Sequence, residues 1–306
     1  MIAVTIMMFT SVLAIGLSEE PMGDDHVPRV VVSFYPLGHL AKEIGKGVVS
    51  VKVLMPPNQE VHAFHPTTQD WLEAARADVL VYNGAGADPW FENELLPDLD
   101  TTEKVVVETT AGLDLLDARQ DDNGGDEHGH DGVDPHTWLS PRMALLQGQA
   151  IYEALRIRYG SERLDTNWGS LRQRLETLDE EYISTLANAS HGEVIVSHEA
   201  YGYLADRYGF EQHGVIGLSA EEQPSVASII DLVTLMEDEG IFSVFVDPVY
   251  SDDYARTIRE ELEDRTGENV RVLQLYFCLG PVDGLDYVGQ METNLANLAI
   301  ALEVPM

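Results

Sequence analysis

The chain has 306 residues, 44% of them apolar and 8% aromatic, which is material for two ordinary domains and too apolar for global disorder. Its 53 acidic against 18 basic side chains leave a net charge of −35 and no basic patch to neutralise phosphates, which speaks against nucleic acid as a partner. The single cysteine, Cys278, excludes an internal disulfide and argues against a thiolate metal cluster; within Leu-Tyr-Phe-Cys-Leu it reads as a buried small hydrophobe.

The elements follow in chain order. Ile2 to Leu17 are uncharged and mostly apolar, too short a run for a membrane span but suited to the core of a secretory signal. No Lys or Arg precedes the run and no cysteine follows it to carry a lipid, so cleavage near 16–19 and retention as an anchor both stay open. The protein is expected to be exported, with residues 1–28 as signal or anchor and tether. Val30–Phe34 then reads as a buried strand, Leu37–Ile44 as an amphipathic helix, Val49–Met55 as a second strand and Thr67–Ala77 as a helix. Val79–Tyr82 is a third strand, Trp90–Leu96 a helix and Lys104–Val107 a fourth strand.

Asp117–Asp134 is rich in Gly and Asp, carries His128 and His130, and has no apolar period, so a loop is expected. Pro141 opens a helix to about Tyr159. From Asn167 to about Asn188, Leu171, Leu175, Leu178, Tyr182 and Leu186 recur at steps of four and three, one apolar stripe on one long helix. Strands are expected again at Val194–Ser197, Ser243–Val246 and Val270–Leu275, and helices at Glu199–Tyr208, Ser225–Glu239, Asp252–Glu263 and Tyr287–Glu303. Pro224 suits a helix start. Alternation at this spacing predicts an α/β fold of two doubly wound domains, residues 29–160 and 191–306, joined by one long helix within 161–190.

The acids are dispersed along the chain and only Lys42, Lys46, Lys52 and Lys104 are lysines. A dispersed, lysine-poor acidic surface keeps a protein soluble where screening shortens to about 3 Å at 1 M salt, and points to a salt-loving source.

Three histidines sit in short motifs that present them: His62 in Glu-Val-His-Ala-Phe-His-Pro (60–66), His136 in Asp-Pro-His-Thr-Trp-Leu-Ser-Pro (134–141) and His198 in Ser-His-Glu-Ala-Tyr (197–201). Three converging neutral imidazoles leave one position of a tetrahedral zinc site for water or a carboxylate. Ligands of doubly wound sheets bind at the carboxyl ends of strands; with His62 and His136 in the first half and His198 in the second, a shared metal would lie in the cleft. Taken singly, each histidine reads as a structural or exposed residue; together with their motifs and domain placement, the three read as ligands. His26, His39, His191 and His213 have no ligand context, and Trp90 and Trp138 read as packing residues that brace neighbouring loops.

These motifs, with Val-Ser-Phe-Tyr-Pro-Leu (32–37), Val-Tyr-Asn-Gly-Ala-Gly-Ala-Asp-Pro-Trp (81–90), Ser-His-Glu-Ala-Tyr-Gly-Tyr-Leu-Ala-Asp-Arg-Tyr-Gly (197–209) and Leu-Ser-Ala-Glu-Glu-Gln-Pro-Ser (218–225), resemble the ZnuA/TroA-like zinc and manganese solute-binding proteins of ABC importers. The similarity runs from roughly Arg29 to Leu302. It implies two α/β domains joined by a rigid helix, metal held between them by His62, His136 and His198, and a monomer that delivers Zn(II) to an ABC permease and its ATPase subunit. Histidine rather than a carboxylate at 198 leans the site to zinc, since imidazole suits zinc and harder oxygens suit manganese. The stretch Glu127-His128-Gly129-His130-Asp131 is a short form of the histidine-bearing loop of zinc members.

Two departures stand out. Where many members carry an aspartate as fourth ligand, this chain has Val-Leu-Gln-Leu-Tyr-Phe (272–277) with Tyr276 at that place, so the fourth position falls to water, Glu60 or Asp247. His65 stands where relatives often have an acid, and reads as a surface or supporting residue. A zinc hydrolase is the rival from another class, but no His-Glu-x-x-His run is present. The residues also allow the same receptor role for Mn(II) or Fe(II), and a surface adhesin. Because the imidazoles must be neutral, metal affinity is expected to fall as pH drops through about 6.5.

Overall fold

A computed structural model describes residues 27–117, 132–216, 225–248 and 252–305. The apolar segment 2–17, His26, the histidine-bearing stretch 127–131 and most of the 218–225 motif lie outside the described residues.

The first half builds one parallel sheet from β1 (Arg29–Val32), β2 (Ser50–Val53), β3 (Val79–Tyr82) and β4 (Val105–Glu108) in the order β2-β1-β3-β4. Val30–Val32 and Val79–Tyr82 are unbroken apolar runs buried along their length, as central parallel strands covered on both faces require. Helix α1 (Tyr35–Gly45) returns from β1 to β2, and α2 (Thr68–Ala75) opens with a capping box between Thr67 and Asp70. Helix α3 (Pro141–Tyr159) starts with proline at its first position and stops at Gly160, whose φ of 62° a residue with a Cβ adopts only at a cost.

After α4 (Glu162–Leu186), the second half repeats the plan. It comprises β5 (Glu193–His198), α5 (Gly202–Tyr208), β6 (Glu211–Ile216), α6 (Val226–Glu239), β7 (Ser243–Val246), α7 (Asp253–Thr266), β8 (Arg271–Gln274) and α8 (Tyr287–Ala301), with sheet order β6-β5-β7-β8. The winding reverses between β1 and β3 in one sheet and between β5 and β7 in the other. Those reversals are where doubly wound sheets open a crevice at the strands' carboxyl ends.

Three local expectations are corrected. Strand β6 is not among the strands expected from the sequence: Glu-Gln-His-Gly-Val-Ile is neither alternating nor apolar, and it becomes a strand by pairing with β5 from Glu193↔Glu211 to His198↔Ile216. The helix expected at Trp90–Leu96 is not one regular helix but a π turn at Trp90–Leu95 followed by a 3-10 turn at Leu96–Asp98, where Pro97 has no amide to continue the ladder. Helix α5 starts at Gly202, leaving Glu199 in the preceding bend.

The core explains how the halves sit together. Val30, Val32 and Phe34, the α4 stripe from Leu164 through Trp168, Leu171, Leu175 and Leu178 to Tyr182, and Val194, Val196 and Phe277 belong to one continuous apolar cluster. Smaller clusters lie on the other faces, around Val31, Leu80 and Phe91 in one sheet and Ile195, Val233 and Val244 in the other. A shared apolar core of this kind opposes free hinging.

Helix α4 is tied to both halves by polar contacts as well. Asn167 donates from its amide to Ile44 O and Lys46 O at 3.0 Å, and Trp168 stacks on Tyr152 at 5.6 Å, over Gly148, where a Cβ would stand 2.8 Å from the indole. Farther along, Asp179 accepts from the Arg207 guanidinium and from Tyr208 Oη at 2.8 Å, and Tyr182 Oη donates to Met291 O at 2.7 Å. The Asp179→Ala variant is expected to lose about 2 kcal/mol in a denaturant titration. That is below the 3–5 kcal/mol of a fully buried broken pair, because Arg207 is a third exposed and can turn to water. Among the described residues no helix is long and apolar enough to cross a membrane.

Candidate metal centre

The loop that follows β2 carries His62 and is held from below and across. Trp90 Nε1 donates to Val61 O at 3.3 Å and its ring meets Phe64 edge-on at 4.7 Å. Glu60 Oε2 accepts the Ala63 amide at 2.9 Å. Asn58, at φ 59°, donates its amide to Leu279 O at 3.0 Å and its side chain to Pro281 O at 3.4 Å, so this loop also rests on the second half.

His136 is set by the turn after β3. Asn83 Nδ2 donates to Pro135 O at 3.2 Å, and Asn83 Oδ1 accepts from Thr137 Oγ1 at 3.2 Å and Gln147 Nε2 at 2.8 Å, bracketing His136 on both sides. Asp88 holds that turn by accepting the Asn83 and Gly84 amides at 2.8 and 3.1 Å; burial pushes its carboxyl up to about 6, opposed by these hydrogen bonds. The Gly-Ala-Gly-Ala-Asp motif is therefore a support for the histidine and not itself a site.

Asp134 Oδ1 lies 2.9 Å from both the His136 amide and His136 Nδ1. A carboxylate only accepts, so Nδ1 carries the hydrogen and Nε2 keeps its lone pair for a metal. His136 is fully buried. Its Nε2 lies 3.4 Å from His62 Nε2, long for a hydrogen bond. Two nitrogens each about 2.0–2.1 Å from a tetrahedral zinc stand roughly 3.3–3.4 Å apart, so this spacing is that of two corners of one coordination sphere.

His198 ends β5 and is 1% exposed. Its ring meets that of His136 at right angles, centroids 5.1 Å apart, as His62 does from its side at 5.4 Å. The three expected residues are thus brought together around His136. Among the described residues no three His, Cys, Asp or Glu side chains already close into a metal cage; the paired Nε2 atoms and the adjoining His198 ring are the geometry present.

The candidates for a fourth partner divide. Glu60 Oε1 is 3.9 Å from His62 Nε2, within reach of the cluster. Asp247, just beyond β7, accepts the Phe277 amide. Tyr276 faces elsewhere, donating to Gln274 Oε1 at 2.7 Å. His65 is 81% exposed and 3.5 Å from Glu94, apart from the cluster. His191 and His213 pair with Glu303 and Glu193 away from it, and His39 packs between Tyr35 and Tyr287, its pKa lowered chiefly by burial. Cys278 is buried, and burial raises its thiol pKa well above the ordinary value.

Two site residues were not singled out from the sequence. Asp134 could have been found from the rule that a ligating histidine gives its second N–H to a carboxylate. Phe277 carried no such signal. Its ring stacks on His198 at 5.2 Å and lies 5.7 Å from His136, making an apolar wall from the stretch where an aspartate was sought. Trp138 Nε1 donates to Phe277 O at 3.0 Å and Tyr287 Oη donates to Trp138 O, so both bracing tryptophans act as expected from the sequence.

Comparison with known proteins bears on this arrangement. The family described as "Zinc-uptake complex component A periplasmic" matches residues 30–301. The high-affinity zinc uptake system protein ZnuA of Bacillus subtilis is 30% identical over 282 residues, covering 90% of this chain and 88% of that protein. The zinc-binding lipoprotein AdcA of Streptococcus pneumoniae is 27% identical over 93% of this chain, which spans only 57% of AdcA's length. The solved periplasmic zinc-binding protein TroA of Treponema pallidum superposes with a TM-score of 0.79, covering 90% of this chain and 99% of that one; at 21% identity the likeness is one of fold.

Proposed function

This chain belongs to the family of periplasmic zinc-uptake components, and we propose that it is an exported receptor that captures Zn(II) and passes it to an ABC-type permease with its ATPase subunit. The observation that carries the reading is the pair of imidazole Nε2 atoms 3.4 Å apart, one with its tautomer set by Asp134, beside His198 from the other sheet. His62, His136 and His198 are the ligands in this reading, and Glu60 the fourth, since its Oε1 stands 3.9 Å from His62 Nε2. Three imidazoles favour zinc over manganese or iron. Residues 29–160 and 191–306 act as the two lobes with 161–190 as a stiff link, and the receptor works as a monomer. Closure is small, because one apolar core runs through both lobes.

Residues 1–28 are proposed to direct export, the apolar run 2–17 being either cleaved or kept as an anchor outside the cytoplasm. Titration of metal-free protein with zinc, then with manganese in competition, tests the assignment. One tightly held zinc that a large excess of manganese does not displace is expected; no saturable zinc binding would refute the reading.

The net charge of −35 is proposed to be an adaptation to salt. Acid–acid repulsion within the folded chain is screened as the Debye length falls from about 10 Å at 0.1 M to about 3 Å at 1 M. The melting temperature is therefore expected to rise over that range, by roughly 2–4 °C for each kcal/mol of repulsion relieved. A melting temperature indifferent to salt would count against the adaptation.

A further inference from the structure

This inference rests on reading His136 as a ligand. Tyr203, the second residue of α5, comes from the second half and is 5% exposed. Its hydroxyl donates to Asp134 O at 2.7 Å and accepts the Leu116 amide at 3.2 Å. The Asp134 amide in turn donates to Leu116 O at 2.8 Å, so one phenol closes the junction of two first-half segments. Gly202, just before it, allows a close approach to the same residue: a Cβ there would stand 2.4 Å from Asp134 Oδ2. Asp134 is thus held by α5 through its carbonyl and hemmed in at its carboxylate, while Oδ1 takes both N–H groups of His136.

We propose that Tyr203 is a positioning residue for metal binding: by pinning Asp134 it sets the orientation and tautomer of His136, so an imidazole of one half is tuned by a side chain of the other. Metal affinity then depends on how the halves sit. Any displacement that breaks the Tyr203–Asp134 bond loosens His136 and speeds release of the ion.

The test is a double-mutant cycle on the full chain, reading zinc affinity by competition with a chromophoric chelator and the visible ligand-field bands of bound Co(II). Loss of an outer partner of a ligating histidine costs 10–100-fold in affinity. Tyr203→Phe, one step further out, is expected to cost about tenfold, in a faster off-rate, with altered Co(II) bands. Asp134→Ala removes the carboxylate but keeps the carbonyl that Tyr203 grips, so adding Tyr203→Phe to it should change nothing further. Equal losses in both backgrounds, or none in either, overturn the proposal. Gly202→Ala gives a second route: it displaces Asp134 with the Tyr203 hydroxyl intact and should likewise weaken zinc only where the carboxylate is present. Melting of the metal-free variants establishes that each is folded. Wild-type protein that binds zinc and loses it on His136→Ala, with Tyr203→Phe unaffected, overturns this inference alone; wild-type protein that binds none overturns the function on which it rests.

Discussion

Replacing His136 by alanine is expected to weaken zinc binding by roughly 10²–10³-fold. The free energy of a four-ligand zinc site is about 10–16 kcal/mol, so one ligand accounts for roughly 2.5–4 kcal/mol, or about two to three powers of ten in the dissociation constant. His136 is the sharpest choice because it stands between the other two: its Nε2 is 3.4 Å from His62 Nε2 and its ring abuts His198. Equilibrium titration with a competing chelator reads the loss. His65→Ala is the matched control, since His65 is exposed and faces Glu94, and its affinity should stay at the wild-type value. A His136→Ala protein that held zinc as tightly as wild type would remove this residue from the site.

The largest effect on stability is expected from Trp138→Ala, at about 3–5 kcal/mol. The indole is fully buried, meets Phe34 edge-on at 4.9 Å, and donates to Phe277 O at 3.0 Å. Truncation leaves a cavity at the seam between the halves and a buried carbonyl without its donor. In thermal melts the loss should appear as a drop of roughly 10 °C. Trp138→Phe separates the two contributions, because the ring is largely retained while the hydrogen bond is not; about 1–3 kcal/mol is expected there. An alanine variant that lost less than about 1 kcal/mol would show that the seam does not depend on this side chain.

Some elements were legible from local patterns and some were not. The four-and-three stripe on α4 was readable because one face of a long helix must be apolar to sit in a core, and the strand Val79–Tyr82 because a central parallel strand is apolar on both faces. β6 was hidden, as its strand state comes from the partner it pairs with and not from its own residues. The helix expected at Trp90–Leu96 is helical, but its π and 3-10 form was not legible because apolar spacing does not distinguish helix types.

The three histidines of the proposed site stood out because each sits in a distinctive motif, and Trp138 and Trp90 because large indoles beside such motifs pack. Asp134 lay in plain view two residues before His136, yet its role depends on a side-chain rotamer that no spacing records. Glu60, Asp247 and water all stood as candidates for the fourth position. In the fold each acid accepts a backbone amide, Glu60 that of Ala63 and Asp247 that of Phe277, 30 residues along the chain, and Glu60 also lies 3.9 Å from His62, a placement that chain order does not record.

The amino-acid sequence alone determined the alternation of buried strands with helices, the long link between two like halves, the acidic surface and the three imidazoles, because each is written in local periodicity, composition or a contiguous motif. Tertiary structure alone decided that Phe277 walls the cluster and that Asp134 is gripped by Tyr203, 69 residues away. It also decided that Trp138 is fastened to a carbonyl 139 residues away. Such contacts form only when two sheets pack onto one shared core, and nothing local in the chain specifies which distant groups that packing will bring within a hydrogen bond.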